Sequence, residues 1–192
     1  MTSLDLLEQP LPRPRRGLVG YAAARALEAL LEALLALRFL GRGFTRSAAG
    51  KALQAWRALT GALPALERDR ILEKLGEKER KRLMEKGIPR VPSTRLKAPG
   101  QLLEDVGYTG FSQATSTALS LHDYQYHGPD PEAELSKYRS RKEAARDIVL
   151  LVEALTGYVE PGLRQKLEAM GRWTREHGEA LQRLQQMLQG GS

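Results

Sequence analysis

The sequence predicts an all-α protein, a helical bundle with a long C-terminal helix. Three observations predict it. Leucine and alanine recur at helical spacing through most of the 192 residues. No stretch reads as a convincing β-strand. No internal repeat is present, which leaves a bundle as the way to bury the apolar faces.

Residues 1–16, ending PLPRPRR, read as an extended Pro/Arg-rich arm, because closely spaced prolines favour polyproline II and lack amide donors. From Gly17 to Leu40 the positions Leu27, Leu30, Leu31, Leu34 and Leu35 predict a first helix ended by Gly41 and Gly43. It carries Arg25, Glu28, Glu32 and Arg38, which a bilayer span would not, so it is an amphipathic core helix. Ser47 is placed to cap a second helix that turns Leu53, Trp56, Leu59 and Leu63 to one side, with a break at Pro64. Leu66–Lys86 is densely charged, with a thin stripe of Ile71, Leu72, Leu75, Leu83 and Met84, and reads as two short exposed helices split at Gly76.

GIPRVPST, residues 87–94, reads as a rigid loop because Pro89 and Pro92 push Ile88 and Val91 toward extended geometry. Arg90, Arg95 and Lys97 cluster around Ser93 and Thr94, an arrangement suited to capping the next helix or to binding phosphate. A short helix over Gln101–Val106 follows, then a turn, then a helix capped by Ser112 and ended by Gly128-Pro129 and Pro131. Ser140 with Glu143 forms a capping box for a helix burying Ala144, Ile148, Val152 and Leu155. Beyond Gly157–Pro161, Leu163, Leu167, Met170, Thr174, His177, Leu181, Leu184 and Leu188 alternate steps of four and three. That spacing predicts one helix from Gly162 to Gln189 whose seam packs on another helix, from a second subunit in a homodimer or from its own bundle. The chain thus divides into the arm (1–16), a helical bundle (17–158) and a heptad-patterned C-terminal helix with a short tail (159–192).

Composition narrows the chemistry. There is no cysteine, which excludes disulfides, thiolate nucleophiles and cysteine zinc sites and fits a reducing cytoplasm. No cleavable signal sequence is visible. Arginine outnumbers lysine, a balance that suggests a thermophile or a GC-rich genome. The net charge of +7 lies in the first half: residues 1–100 hold 20 basic and 10 acidic side chains, residues 101–192 hold 10 and 13. If the protein meets nucleic acid, phosphate contacts should therefore come mainly from the basic N-terminal half; the competing reading is that these basic helices are simply solvated. No P-loop, dinucleotide-binding glycine pattern or Ser-His-Asp grouping appears.

Candidate chemistry concentrates in residues 119–147, which hold two of the three histidines and three of the six tyrosines. His122 and Tyr126 are four apart and share a helix face, whereas His122 and His127 stand about 140° apart on a continuous helix. His122, His127, Asp123 and Tyr126 are the candidate catalytic residues. Without an HExxH spacing or cysteine, no metal site and no cofactor are expected. An arginine five residues before a histidine occurs at Arg172–His177, on the leucine seam.

The strings RSAAGKALQAWRALTGAL, IPRVPSTRLK, STALSLHDYQYHGPDPE and SKYRSRKEAARDIVLLVEAL resemble the archaeal PaREP-type proteins, within the HEPN-like group of helical domains. The resemblance spans about residues 17–158 and is most specific in LHDYQYHGPDP. It implies a bundle of four or five helices that commonly dimerises. Ribonucleases of that group place an arginine, four to six intervening residues and then a histidine, which suits proton exchange with a ribose hydroxyl beside a neutralised phosphate. Here no arginine occurs between Lys97 and His122. The expectation is a non-catalytic, dimerising interaction module, with Leu163, Leu167, Met170, His177, Leu181, Leu184 and Leu188 as its interface. The alternatives are an RNA-cleaving or nucleotide-handling enzyme around His122 and His127, and a nucleic-acid-binding protein using Arg90, Arg95 and Lys97.

Overall fold

A computed structural model describes residue 7, residues 17–86 and residues 96–190. The rest of the 1–16 arm, the 87–94 loop with Arg90, Arg95 and the side chains of Leu83 and Met84 lie outside the described residues. Among the described residues every regular element is helical and none is a strand. No described helix is long and apolar enough to cross a membrane.

Two long helices, α1 (Leu18–Gly41) and α2 (Thr45–Leu66), form a hairpin and make the most extensive helix pair in the molecule. Their facing surfaces are alanine-rich: Ala26, Ala29, Ala33 and Ala36 on α1, and Ala48, Ala52, Ala55 and Ala58 on α2, are all buried. Such short side chains let the axes approach closely. The hairpin turns at Gly43, whose φ of 78° lets the Phe44 N–H reach the Phe39 carbonyl (2.9 Å) and its own N–H reach Leu40 (2.9 Å). These bonds satisfy carbonyls that the end of α1 would otherwise leave bare.

α2 is the central helix, because it also packs against α5 (Lys97–Asp105), α6 (Phe111–His127) and α7 (Arg141–Tyr158). It starts at Thr45 without a side-chain cap, so Ser47 does not cap it, and it runs through Pro64 to Leu66. Pro64 does not break it, since burial on all sides outweighs the one missing amide hydrogen bond. Instead the chain turns at Glu67 into α3 (Arg68–Lys74) and, after an extended Leu75, α4 (Glu77–Lys86). These are the two short helices read from the charged segment. α6 also begins differently from expectation. Gly110 at φ 83° occupies the cap position, and the Glu104 carboxylate accepts the N–H groups of Gly110 (2.8 Å) and Ser112 (2.9 Å) in place of a serine cap. α7 starts as read: Ser140 Oγ accepts the Glu143 N–H (3.2 Å), and the Glu143 carboxylate reaches back to the Arg139 N–H (2.9 Å).

The single helix expected over Gly162–Gln189 is divided. After a π-turn (Val159–Leu163) come α8 (Arg164–Ala169), a turn, and α9 (Arg175–Gly190). Gly171 makes the division: at φ 63° it stands just past the end of α8, its N–H on Glu168 (2.9 Å) and the next N–H, of Arg172, on Leu167 (2.7 Å). α9 then folds back onto α1. Leu163, Leu167, His177, Leu181 and Leu184 are buried in this chain's own core, Leu188 packs at its edge and Met170 is exposed. The leucine seam therefore packs within the chain, and the seven residues do not form a free surface for a second subunit.

The two glycines of this region predict opposite effects. Gly171→Ala forces a side chain into left-handed backbone and should lower the unfolding free energy by about 1–2 kcal/mol. Gly178→Ala, within α9 and with only Trp173 Nε1 at 3.8 Å from the added methyl, should raise it by about 0.5–1 kcal/mol. Urea unfolding measures both; equal effects of one sign would contradict the turn.

Candidate functional site

α6 carries the candidate residues, and its depth in the fold is set from its buried side. Phe111, Thr115, Ala118, Leu121 and Tyr124 are buried. Thr115 accepts the Trp56 indole N–H (3.0 Å) and passes its own proton to the Phe111 carbonyl (2.8 Å). One turn from the end, Gln125 lies against Gly50 of α2, where a methyl group would stand 2.8 Å from Gln125 Cδ. Gly50 is thus what lets the last turn of α6 reach α2.

One turn before Gly50, Arg46 holds that last turn. Its Nε donates to the Gln125 carbonyl (2.9 Å) and its Nη2 to the Tyr126 carbonyl (2.5 Å). These carbonyls have no partner inside the helix, and a cation at a helix C-terminus also meets the favourable end of the dipole. Beside it the Tyr124 hydroxyl pairs with Thr45 Oγ1 (3.0 Å), and the Tyr124 ring meets Tyr138 edge-on at 5.5 Å.

The loop between α6 and α7, residues 128–140, has no regular structure but is tied down. The Asp130 carboxylate accepts N–H bonds from Leu135 (2.7 Å), Ser136 (3.1 Å) and Glu132 (3.2 Å), and the Asp130 N–H reaches the Tyr138 carbonyl (2.8 Å). Those amides, Leu135 and Ser136 foremost, hold the Asp130 carboxyl below its ordinary value. Tyr138 is buried and donates to Asp147 (2.8 Å); burial first, then that carboxylate, pushes its phenol well up. Phe44, Thr45, Arg46, Tyr124, Pro129 and Arg141 line a shallow cleft of about 200 Å³ where this loop meets the α1–α2 turn.

Of the sequence candidates, His122 and Tyr126 come together: their rings meet perpendicularly, centroids 5.1 Å apart. His122 Nδ1 is buried with no hydrogen-bond partner, and Tyr126 is 60% exposed. Asp123 and His127 are exposed and do not join them. Because α6 stays helical through His127, the two histidines diverge. Among the described residues no group of three or more His, Asp or Glu is placed to hold a metal ion. Lys97 is exposed at the start of α5. The residues missed by sequence reasoning are Phe44, Arg46 and Arg141. Nothing local marks them, since Arg46 meets its partners about 80 positions away.

Asp130→Ala should leave the bundle folded and speed amide exchange at Leu135 and Ser136. In the wild type the same loosening should appear in acid, because a depressed carboxyl contributes order above its unfolded pKa and loses it as pH falls through the folded one. Exchange of these two amides followed by NMR is the measurement; unchanged rates in the variant would mean that another contact orders the loop.

No curated protein and no solved structure matches the chain. A family model does match, over residues 24–149, a span that takes in α2, α6, the anchored loop and the start of α7. The chain belongs to the archaeal PaREP1/PaREP8 family.

Proposed function

We propose that this protein is a non-catalytic helical recognition module that binds a phosphate-bearing polyanion, RNA in the first instance, at the end of the bundle where the α1–α2 turn meets the α6–α7 loop. The observation that carries the reading is the convergence of exposed aromatics and cations on an ordered surface. Phe44 is 58% and Tyr126 60% exposed. Arg141 lines the cleft with Phe44, Arg42 precedes Phe44 in the α1–α2 turn, and Lys137, Arg139 and Lys142 flank Arg141 in the chain; all five are exposed and make no ion pair among the described residues, and Arg46 is held by carbonyls.

The local acids do not cancel them. Asp130 and Glu143 are engaged by backbone amides, leaving Asp123, Glu132 and Glu134 exposed against six cations. Aromatic faces beside a basic track suit stacked bases and a phosphate backbone. Long loops with an anchored conformation are commonly binding elements. The cleft is smaller than pockets that enclose a small molecule, which favours surface recognition. A HEPN-like placement fits the reading, with α1, α2, α6 and α7 as the bundle and the site at the end of a late helix. The ribonuclease alternative is not favoured, because His122 Nδ1 has no hydrogen-bond partner, cationic or otherwise, among the described residues.

Fluorescence anisotropy with a labelled single-stranded RNA tests this. Binding should weaken steeply with salt, and Arg141→Glu with Lys142→Glu should lower the slope of log K against log salt by about 0.7 for each phosphate that is no longer neutralised. Phe44→Ala should weaken binding several-fold, and the RNA should be recovered intact. Absence of binding at low salt, or binding indifferent to all three substitutions, would sink the proposal; robust cleavage abolished by His122→Ala would replace it with the enzymatic reading.

A further inference from the structure

At the other face of the bundle α9 is fastened to α1 by one buried imidazole. His177 is 2% exposed, with Nε2 2.9 Å from the Ala23 carbonyl and Nδ1 3.2 Å from the Thr174 amide nitrogen and 2.9 Å from Thr174 Oγ1. An amide N–H can only donate, so Nδ1 must carry its lone pair, and Nε2 therefore holds the ring proton and donates it to Ala23. The Trp173 ring stacks on the imidazole at 4.9 Å, and the Arg164 guanidinium lies over the indole at 5.9 Å.

We propose that His177 is a proton-operated latch, which holds α9 on α1 while the imidazole is neutral and releases α9 when the imidazole is protonated. A second ring proton would appear on Nδ1, facing the Thr174 N–H donor to donor, and would leave an imidazolium among buried atoms. The charged surroundings offer little relief. Glu176 on α9 is the ionisable neighbour that favours the charged ring. On α1 the guanidinium of Arg25, two residues from the accepting carbonyl, is turned to Glu28 and the Arg57 carbonyl. On α7, which also touches α9, Arg146 and Glu153 are exposed and Asp147 accepts the Tyr138 hydroxyl. Burial outweighs Glu176 and holds the His177 pKa below its ordinary value.

The sign follows from linkage. A released His177 regains an ordinary imidazole pKa of about 6.5, so the open form binds more protons than the closed form between that value and the folded one. Across this window the opening constant of α9 should climb about tenfold per pH unit, then level off below the folded-state pKa. Release is local, because α9 hangs on the five-residue turn at 170–174, whereas α2 packs on α1, α6 and α7 without it.

Amide exchange on the full chain, read residue by residue by NMR between pH 7 and pH 5, decides the matter. Protection factors along α9 should fall as the pH drops below 6.5, by up to tenfold per unit until the folded-state pKa is passed, while those of α2 and α7 hold. His177→Gln offers an acceptor and a donor without titrating and should abolish the pH dependence. An α9 that loosens only together with α2, or the same pH dependence in the glutamine variant, would overturn the latch. Should that variant fail to fold, direct titration of the wild-type His177 ring serves instead: a midpoint at or above the ordinary imidazole value refutes it, and one below supports it.

Discussion

The structure depends on α2 being buried along nearly its whole length. A helix with only a narrow solvent face must satisfy most of its polar atoms from within, and Trp56, fully buried at its centre, brings an indole N–H that needs an acceptor. Thr115 supplies it from α6 and returns its own proton to Phe111 one turn back, so one hydroxyl satisfies polar groups on both helices. The rings of Phe111 (4.5 Å) and Tyr158 (6.0 Å) then pack on the indole. Neighbouring helices must approach closely for this to work. At Gly100 a methyl group would stand 2.8 Å from Thr115 Oγ1, a short side chain with little room to move, and at Gly50 one would press on the end of the Gln125 side chain.

A second constraint sits where α2 turns into α3. Glu67 is buried, yet its carboxylate accepts from Arg70 (3.0 Å), the Tyr108 hydroxyl (2.8 Å) and Lys166. Arg70 continues to the Val106 carbonyl. One charge thereby joins the α2–α3 corner, the α5–α6 turn and α8, three segments far apart in sequence. A buried carboxylate is tolerable only when partners replace its water, and removing any of them would leave an uncompensated charge. Burial lowers the Lys166 pKa.

How much was legible in the sequence follows the range of the interactions. α1 and α7 were readable because their apolar periodicity and the Ser140–Glu143 box act within a few residues. Ser47 and Ser112 misled, because Gly110 with Glu104 starts α6 and α2 begins two residues before Ser47. Pro64 misled because the burial that keeps α2 helical is tertiary. Gly171 and Gly178 look alike in the seam, seven apart; only the first takes left-handed backbone. The four-three pattern of leucines was real as burial, but periodicity does not name the partner surface. At the site, the shared face of His122 and Tyr126 was visible from spacing, whereas Arg46 and Arg141 arrive through folding and carry no local sign.

The distinctive stretch LHDYQYHGPDP separates on this basis into two sets. Leu121 and Tyr124 fill the core, Gln125 meets Gly50, Gly128 at φ 73° ends α6 against Arg46, and Asp130 anchors the loop. Those residues are explained by folding alone. His122, Asp123, Tyr126 and His127 are not: three are exposed, and the fourth keeps a buried ring nitrogen without a partner. A nitrogen left unpaired is disfavoured by about 1–3 kcal/mol, and an exposed aromatic ring propped by it gains little from folding. What folding does not explain lies in the last two turns of α6, whose end Arg46 holds, so the residues most open to a functional explanation and the cations proposed to meet a polyanion occupy the same end of the bundle.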